Sequence, residues 1–201
     1  MRHPRAYDDA PGRRLFVAVP IPTETRDAIA AVVDGVRSAA DPTVRDVRWV
    51  RLDGLHLTLR FLGPATDDRL PGVIAAVDRV AGGMPPFGVE IGGAGAFPSL
   101  TRPRALWLGV TRGADELAAA VERLDDGLAE AGWPRADRPY RPHLTLARSD
   151  GVRSGPRVAA RLVVAAASLQ APFEAGSVAV FESIAGDGPA HYVTLHEARF
   201  G

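Results

Sequence analysis

HLTL occurs twice in this chain, at residues 56–59 and again at residues 143–146. Around the first copy, apolar residues occupy alternate positions, a pattern that is typical of a β-strand. Because successive side chains of a strand point to opposite faces, His56 and Thr58 share one face, and His143 and Thr145 share the corresponding face of a second strand. The sequence therefore predicts two strands that each present one imidazole and one hydroxyl.

The surroundings of the two copies are also repeated. A predicted strand at Leu15 precedes His56 by 41 positions (56 minus 15), and another at Leu106 precedes His143 by 37 (143 minus 106), with a helical pattern between them each time. We infer an internal duplication of strand, helix and histidine strand. This order of elements predicts an α+β fold of two sheet-based lobes around a cleft, to which each lobe contributes one histidine strand.

Hydrophobic periodicity and turn residues give the remaining elements. Helices are predicted to begin at Thr23, at about Asp67 and at about Ala114. Further strands are predicted at residues 87–91, 105–110, 161–166, 177–182 and 192–197. The glycine-rich residues 92–98 are predicted to form a loop, and they do not suit a phosphate cradle, because no helix starts at the last glycine. Residues 1–12 are expected to be a flexible tail, and residues 13–201 a single domain.

The composition is that of a folded protein, with 46% hydrophobic and 24% charged residues in a chain of 201. Since there is no cysteine, disulfides, thiolate catalysis and cysteine metal sites are excluded. Neither a secretion signal nor a membrane-spanning run is recognisable, and we expect a cytoplasmic protein. All 24 basic residues are arginine, which is typical of a GC-rich genome, so only the placement of an arginine can indicate phosphate binding.

Two imidazoles that converge on a cleft favour acid–base chemistry. One can donate a proton to a leaving oxygen while the other accepts a proton from the attacking oxygen. The hydroxyls of Thr58 and Thr145 could bind non-bridging oxygens of a phosphodiester as negative charge develops there. No serine or cysteine adjoins His56 or His143, so a nucleophilic triad is not indicated. The combination favours phosphoryl transfer.

Other interpretations of these histidines are weaker. A single His-x-Thr is usually a structural or surface histidine, but a duplicated pair is not explained in that way. A zinc site could use two histidines, yet no third ligand accompanies them at a suitable spacing, so we predict no metal site. The other three histidines, His3, His191 and His196, lack a threonine on the same face and are interpreted as structural or solvated.

Two arginines next to the motifs are candidates for phosphate binding. Arg60 has the strand parity of His56 and Thr58 and is expected to face the cleft or water. Arg148 has the opposite parity to His143 if its strand is regular. It reaches the site only if the strand ends or bulges after Leu146.

The motifs resemble those of the 2H phosphoesterase superfamily, which is named for its paired His-x-Thr/Ser-x motifs. They are most similar to its RNA 2′,3′-cyclic phosphodiesterase branch, the 2′-5′ RNA ligase-like family. The resemblance extends over nearly the whole chain and is strongest in RPYRPHLTLAR at residues 138–148. It implies a bilobal LigT-like fold with pseudo-twofold symmetry, in which two antiparallel-sheet lobes with outer helices surround a central cleft.

The resemblance also implies an activity, the hydrolysis of an RNA terminal 2′,3′-cyclic phosphate to a 2′-phosphomonoester without metal or other cofactor. By analogy, His56 is the proton donor to the departing 3′ oxygen and His143 the proton acceptor that activates water. Thr58 and Thr145 would hold the phosphate, and Arg148 matches the family's arginine after the second motif.

Two alternatives remain open at this point. Reversal of the same proton transfers would give 2′-5′ RNA ligase activity. A non-catalytic module that binds RNA or nucleotides would also retain the cleft. In each case the expected partner is RNA or a nucleotide, with a 2′,3′-cyclic phosphate end for the enzyme, and we expect a monomer without a membrane partner.

Overall fold

The computed structural model describes residues 12–39, 46–149, 153–186 and 189–201, so the expected tail at 1–12 lies outside the described residues except for Gly12. The α-helices and strands in these residues are, in order, β1 (Arg13–Pro20), α1 (Thr23–Ser38), β2 (Val47–Trp49), β3 (His56–Ala65), α2 (Leu70–Ala81), β4 (Phe87–Phe97), β5 (Ala105–Arg112), α3 (Ala114–Glu130), β6 (His143–Ser149), α4 (Gly155–Ala165), β7 (Ala171–Ala175), β8 (Ser177–Ile184) and β9 (His191–Arg199). None of the described helices is both long enough and apolar enough to cross a membrane.

The strands form two antiparallel sheets. Sheet A has the strand order β3-β1-β8-β9, and sheet B has the order β2-β6-β5-β4-β7. Helices α2 and α3 pack together on sheet A, whereas α1 and α4 pack together on sheet B. The predicted α+β architecture of two sheet lobes, each with its own helices, is confirmed.

The topology of the first half of the chain is repeated in the second. The first half runs β1, α1, β3, α2, β4, and the second runs β5, α3, β6, α4, β8. In sheet A, β1 lies between β3 and β8, just as β5 lies between β6 and β4 in sheet B. Each half sends its first helix and its last strand to the other lobe. Exchanging the two sheets therefore relates the element order of one half to that of the other, which places the two HLTL copies in equivalent strands, β3 and β6.

The leucines of the motifs anchor these strands in the hydrophobic core. Leu57, Leu59, Leu144 and Leu146 are all buried, at 4% exposure or less. The histidine and threonine of each copy remain partly exposed on the opposite face. The alternation that the sequence predicts for both copies is thus present, and it directs the four polar side chains away from the core.

The predicted strand at residues 161–166 is wrong, because this segment belongs to helix α4. Pro156 lies in the first turn of α4, where a proline is tolerated. The buried residues Val158, Ala159 and Leu162 follow a helical spacing of i, i+1 and i+4. Adjacent β-branched residues near the end of the segment resemble a strand locally, but Val164 is exposed on the helix surface.

The predicted loop at residues 92–98 is also wrong, since β4 continues through the glycines to Phe97. The pairing of β4 with β5 shifts register between Gly92 and Ala94, and Gly93 has a φ of 64°. A Cβ atom at Gly95 would overlap the indole ring of Trp107 on β5. The glycines therefore accommodate a bulge and a large aromatic neighbour within a strand.

Two helix glycines provide a matched test of the packing between α2 and α3. An added Cβ at Gly35 in α1 meets nothing within 4 Å, whereas one at Gly127 in α3 would lie 2.9 Å from the Cβ of Ala76 in α2. We expect Gly35→Ala to raise the free energy of unfolding by about 0.5–1 kcal/mol, because alanine favours helix over glycine. Gly127→Ala gains the same helix preference, but the contact of the new Cβ with Ala76 adds an overpacking cost of about 1–3 kcal/mol. We therefore expect Gly127→Ala to lower the free energy of unfolding.

Urea denaturation followed by circular dichroism measures both changes. A Gly127→Ala protein as stable as the Gly35→Ala protein would contradict the close approach of α2 and α3.

Candidate active site

The two histidine strands approach each other across a cavity. Strands β3 and β6 come within 8 Å of each other, measured between Cα atoms. A cavity of about 790 Å³ lies between the lobes, and its walls include His56, Thr58, Thr145 and Arg148. His143 is not among the lining residues, but it is partly exposed and lies on the same strand face as Thr145. The fold thus brings both motifs to one cleft.

Both imidazoles are oriented by the same backbone arrangement. Nδ1 of His56 lies 2.7 Å from the carbonyl oxygen of Gly54, and Nδ1 of His143 lies 2.7 Å from the carbonyl oxygen of Arg141. Because a carbonyl oxygen can only accept, each Nδ1 carries the hydrogen and donates it. Nε2 is therefore the atom through which each ring can exchange a proton with a substrate.

Aromatic side chains enclose His56. The ring centroids of Phe16, Tyr192 and Phe181 lie 4.6, 4.9 and 5.9 Å from that of His56, with Tyr192 oriented edge-on. This burial lowers the pKa of His56 below its ordinary value, and the hydrogen bond to Gly54 only partly opposes the effect. Burial thus favours the neutral form of His56.

His143 has a similar but less enclosed environment. Its ring contacts Phe97 edge-on at 5.0 Å between centroids, and Trp107 lies at 6.4 Å. Burial lowers the pKa of His143, the hydrogen bond to Arg141 raises it, and the positive charge of Arg148 lowers it further. A neutral ring with an unprotonated Nε2 is suited to accept a proton.

A β-bulge brings Arg148 into the cavity. Strand β6 pairs with β5 through Thr145 opposite Trp107 and Ala147 opposite Leu106, so Leu146 is an extra residue between them. The bulge reverses the alternation of side chains beyond it, and Arg148 joins the cavity face. This is the irregularity after Leu146 that the sequence required for Arg148 to reach the site.

A matching bulge removes Arg60 from the cavity. Strand β3 pairs with β1 through Thr58 opposite Ala18 and Arg60 opposite Val17, which leaves Leu59 as the extra residue. Arg60 is turned away from the cavity wall, and its Nε forms an ion pair with Oδ1 of Asp125 on α3 at 3.0 Å. The expectation that Arg60 faces the cleft or water assumed a regular strand; in the structure Arg60 instead contacts Asp125 and is not among the residues that line the cavity.

Phe61, rather than Arg60, is the residue after Thr58 in β3 whose side chain faces the cavity. Its side chain is 63% exposed and lines the cavity. Phe61 and Arg148 are equivalent residues of the two copies, since each lies five positions after its histidine and three after its threonine. Comparison of the copies position by position, rather than strand parity alone, would have identified Phe61.

The charged residues that are described in the cavity wall are all arginines. The charged residues that line it, among those the structure describes, are Arg14, Arg48 and Arg148, and no carboxylate lines it. Within the described ranges, no group of three His, Cys, Asp or Glu side chains is arranged to hold a metal ion.

The pKa values of the two histidines can be tested by NMR titration. We expect both to titrate below the ordinary value of 6.5, because burial disfavours the imidazolium. Arg148→Gln removes a cation beside His143 and should raise the pKa of His143. The control Arg157→Gln, on α4 and not among the cavity-lining residues, should leave that pKa unchanged. If the pKa of His143 did not respond to Arg148→Gln, the placement of Arg148 beside the ring would be contradicted.

Comparison with known proteins agrees with this geometry. Residues 25–187 match the family model described as the 2′-5′ RNA ligase superfamily. The RNA 2′,3′-cyclic phosphodiesterase of Methanothermobacter thermautotrophicus is 33% identical over 147 residues, which cover 73% of this chain and 76% of the relative. That of Thermus thermophilus is 37% identical over 143 residues, which cover 67% and 68% of the two chains.

Solved structures show the same fold. E. coli LigT complexed with 3′-AMP has a TM-score of 0.74 and 23% identity, over 94% of this chain and 98% of that chain. The crystal structure of a Thermus thermophilus protein has a TM-score of 0.71 and 28% identity, over 93% and 97%. With a family match over more than half of its length and two equivalent HLTL strands at one cleft, the chain belongs to the 2′-5′ RNA ligase superfamily.

Proposed function

We propose that this chain hydrolyses the 2′,3′-cyclic phosphate at the end of an RNA to a 2′-phosphomonoester, without a metal ion. The observation that carries the proposal is the convergence of two equivalent histidine–threonine strands on one cavity, which Arg148 also lines. The names of the relatives, RNA 2′,3′-cyclic phosphodiesterases, support the choice of substrate. Two imidazoles suffice for both proton transfers of such a reaction.

In this proposal, His143 accepts a proton from water through Nε2 as the water oxygen forms a bond to phosphorus. His56 donates a proton from Nε2 to the 3′ oxygen as the phosphorus–O3′ bond breaks. The positive charge of Arg148, which favours neutral His143, supports this division of roles. His56 must be protonated to donate, and a bound anionic phosphate favours its imidazolium form. The substrate would therefore bring His56 into its active protonation state.

The other polar groups of the cavity are suited to hold the phosphate. The hydroxyls of Thr58 and Thr145 can donate hydrogen bonds to the non-bridging oxygens. The guanidinium of Arg148 can donate two parallel hydrogen bonds and stabilise the negative charge that develops on them. The exposed ring of Phe61 offers a surface on which the terminal base can stack.

We further propose that residues 13–201 act as a single domain, as a monomer, in the cytoplasm. Every group that the mechanism uses comes from one chain, and both lobes are needed to form the cavity. Ligation of a 2′,3′-cyclic phosphate end to a 5′-hydroxyl would use the same two proton transfers, with the 5′-hydroxyl in place of water as the attacking group.

The direct test is hydrolysis of a short RNA with a 2′,3′-cyclic phosphate in EDTA, with the product identified by phosphorus NMR. We expect a 2′-phosphomonoester, and we expect His56→Ala and His143→Ala each to lower kcat by about 100- to 10,000-fold through loss of acid–base catalysis. His196→Ala, which removes a histidine paired with Asp78 away from the cavity, is the control and should retain activity. Turnover that persists in both motif variants would refute the mechanism, and RNA binding without turnover would favour a binding module.

The lowered pKa values predict the pH dependence of the reaction. kcat/KM reports the free protein, in which burial lowers the pKa of His56 below 6.5. Since the donor must be protonated, we expect kcat/KM to fall as pH rises through that lowered pKa. The corresponding limb of kcat should lie at higher pH, because bound phosphate favours the imidazolium. Coincident limbs for kcat and kcat/KM would contradict a donor whose pKa is raised by the substrate.

A further inference from the structure

Tyr192 brings to the cavity a hydroxyl group that the proposed mechanism does not use. The residue belongs to β9 and lines the cavity together with His56, Thr58 and Arg148. Among the described residues, none hydrogen-bonds this hydroxyl. Burial raises the pKa of Tyr192, and the positive charge of Arg148 only partly opposes that effect. The phenol therefore keeps its proton at neutral pH and can donate it in a hydrogen bond to a ligand.

Packing fixes the ring of Tyr192 beside the imidazole of His56. The two ring centroids lie 4.9 Å apart with an angle of 89° between the planes, and the ring of Phe16 lies 5.2 Å from that of Tyr192. A Cβ atom added at Gly54 would lie 3.0 Å from Cδ2 of Tyr192. Gly54 also accepts the hydrogen bond from Nδ1 of His56. The same turn thus positions both the imidazole and the phenol ring.

Tyr192 is also close to the other lobe. It belongs to sheet A, whereas Arg148 belongs to β6 in sheet B, yet the charge of Arg148 lowers the pKa of both Tyr192 and His143. Tyr192 therefore contacts the ring of the proposed proton donor and lies within the electrostatic reach of the cation beside the proposed acceptor. A phosphate that exchanges protons with both histidines lies between them. Tyr192 is thus adjacent to the place where that phosphate would bind.

The two motif copies do not supply the same hydrogen-bond donors. In the second copy, Thr145 is followed three positions later by Arg148, which can donate to phosphate. In the first copy, Thr58 is followed at the equivalent position by Phe61, whose ring has no such donor. Tyr192 lies in the same sheet as the first copy and lines the same cavity. It can supply the donor that Phe61 lacks.

We propose that the hydroxyl of Tyr192 donates a hydrogen bond to a non-bridging oxygen of the reacting phosphate, which makes Tyr192 a further catalytic residue. This inference rests on the proposed function of the same cavity. Negative charge on the non-bridging oxygens increases as the water oxygen forms its bond to phosphorus, so the hydrogen bond is stronger in the transition state than in the ground state. Loss of the hydroxyl should therefore act on kcat rather than on KM.

Tyr192→Phe tests the proposal, because it removes the hydroxyl and retains the ring. For a hydrogen bond to a charged group, we expect kcat for adenosine 2′,3′-cyclic phosphate to fall by about 10- to 100-fold. Tyr140→Phe is the matched control, since the buried hydroxyl of Tyr140 has no hydrogen-bond partner among the described residues and Tyr140 is not among those that line the cavity. The control should retain the wild-type kcat. Thermal unfolding of both variants checks that the fold is intact.

The two diastereomers of adenosine 2′,3′-cyclic phosphorothioate identify the atom that accepts the hydrogen bond. Each has sulfur, a weak acceptor, in place of one non-bridging oxygen. With the isomer whose sulfur faces Tyr192, the kcat of the wild-type protein should approach that of Tyr192→Phe. The other isomer should show the full difference between the two proteins. An equal difference with both isomers would overturn the proposed contact.

An indirect effect through His56 is distinguishable from the proposed contact. Tyr192→Phe retains the ring that helps to bury His56, so NMR titration should give His56 the same pKa as in the wild-type protein. A changed pKa of His56 together with the loss of kcat would assign the effect to the histidine and overturn the proposal. Wild-type kcat in Tyr192→Phe would also overturn it, while the proposed function stands. If the wild-type protein hydrolyses neither adenosine 2′,3′-cyclic phosphate nor the short RNA, the proposed function itself fails.

Discussion

Burial of the motif leucines determines the geometry of the whole site. Because Leu57, Leu59, Leu144 and Leu146 are inserted in the core, neither histidine strand can slip by one residue without burying its imidazole and hydroxyl instead. The hydrophobic effect thus sets the register, and the register sets the direction of the catalytic groups. The backbone carbonyls two residues before each histidine then orient the ring, so that the free Nε2 is available to the cleft.

The two bulges convert a symmetric frame into an asymmetric site. Up to the threonine, the two copies present the same groups. After the extra residue, Leu59 or Leu146, the position that turns back to the cavity is Phe61 in one lobe and Arg148 in the other. One wall therefore offers an aromatic surface and the other a cation. A nucleotide, with a base at one end and a phosphate at the other, has the same polarity.

The structural features that depend on local periodicity are predicted correctly from the sequence. The predictions are wrong where a contact with a residue distant in the sequence determines the local structure. The histidine faces, the duplication and the two-lobed α+β architecture follow from alternation and spacing within short segments. Arg60 is misplaced because a bulge depends on the partner strand β1, which parity within β3 does not reveal. Residues 92–98 resemble a loop because their glycines accommodate Trp107, which is distant in sequence. Phe61, as an exposed aromatic, has no local signal apart from its equivalence to Arg148.

The exchange of elements between the two halves has a consequence for the origin and the unfolding of the chain. Each half gives its first helix and its last strand to the other lobe, which is the arrangement of a domain-swapped homodimer whose two chains have been joined. Each sheet combines strands from both halves of the chain, so neither half contains a complete sheet of its own. Unfolding of one lobe therefore removes segments that are continuous with elements of the other lobe. The protein should accordingly denature as one cooperative unit, although it is built from two similar copies.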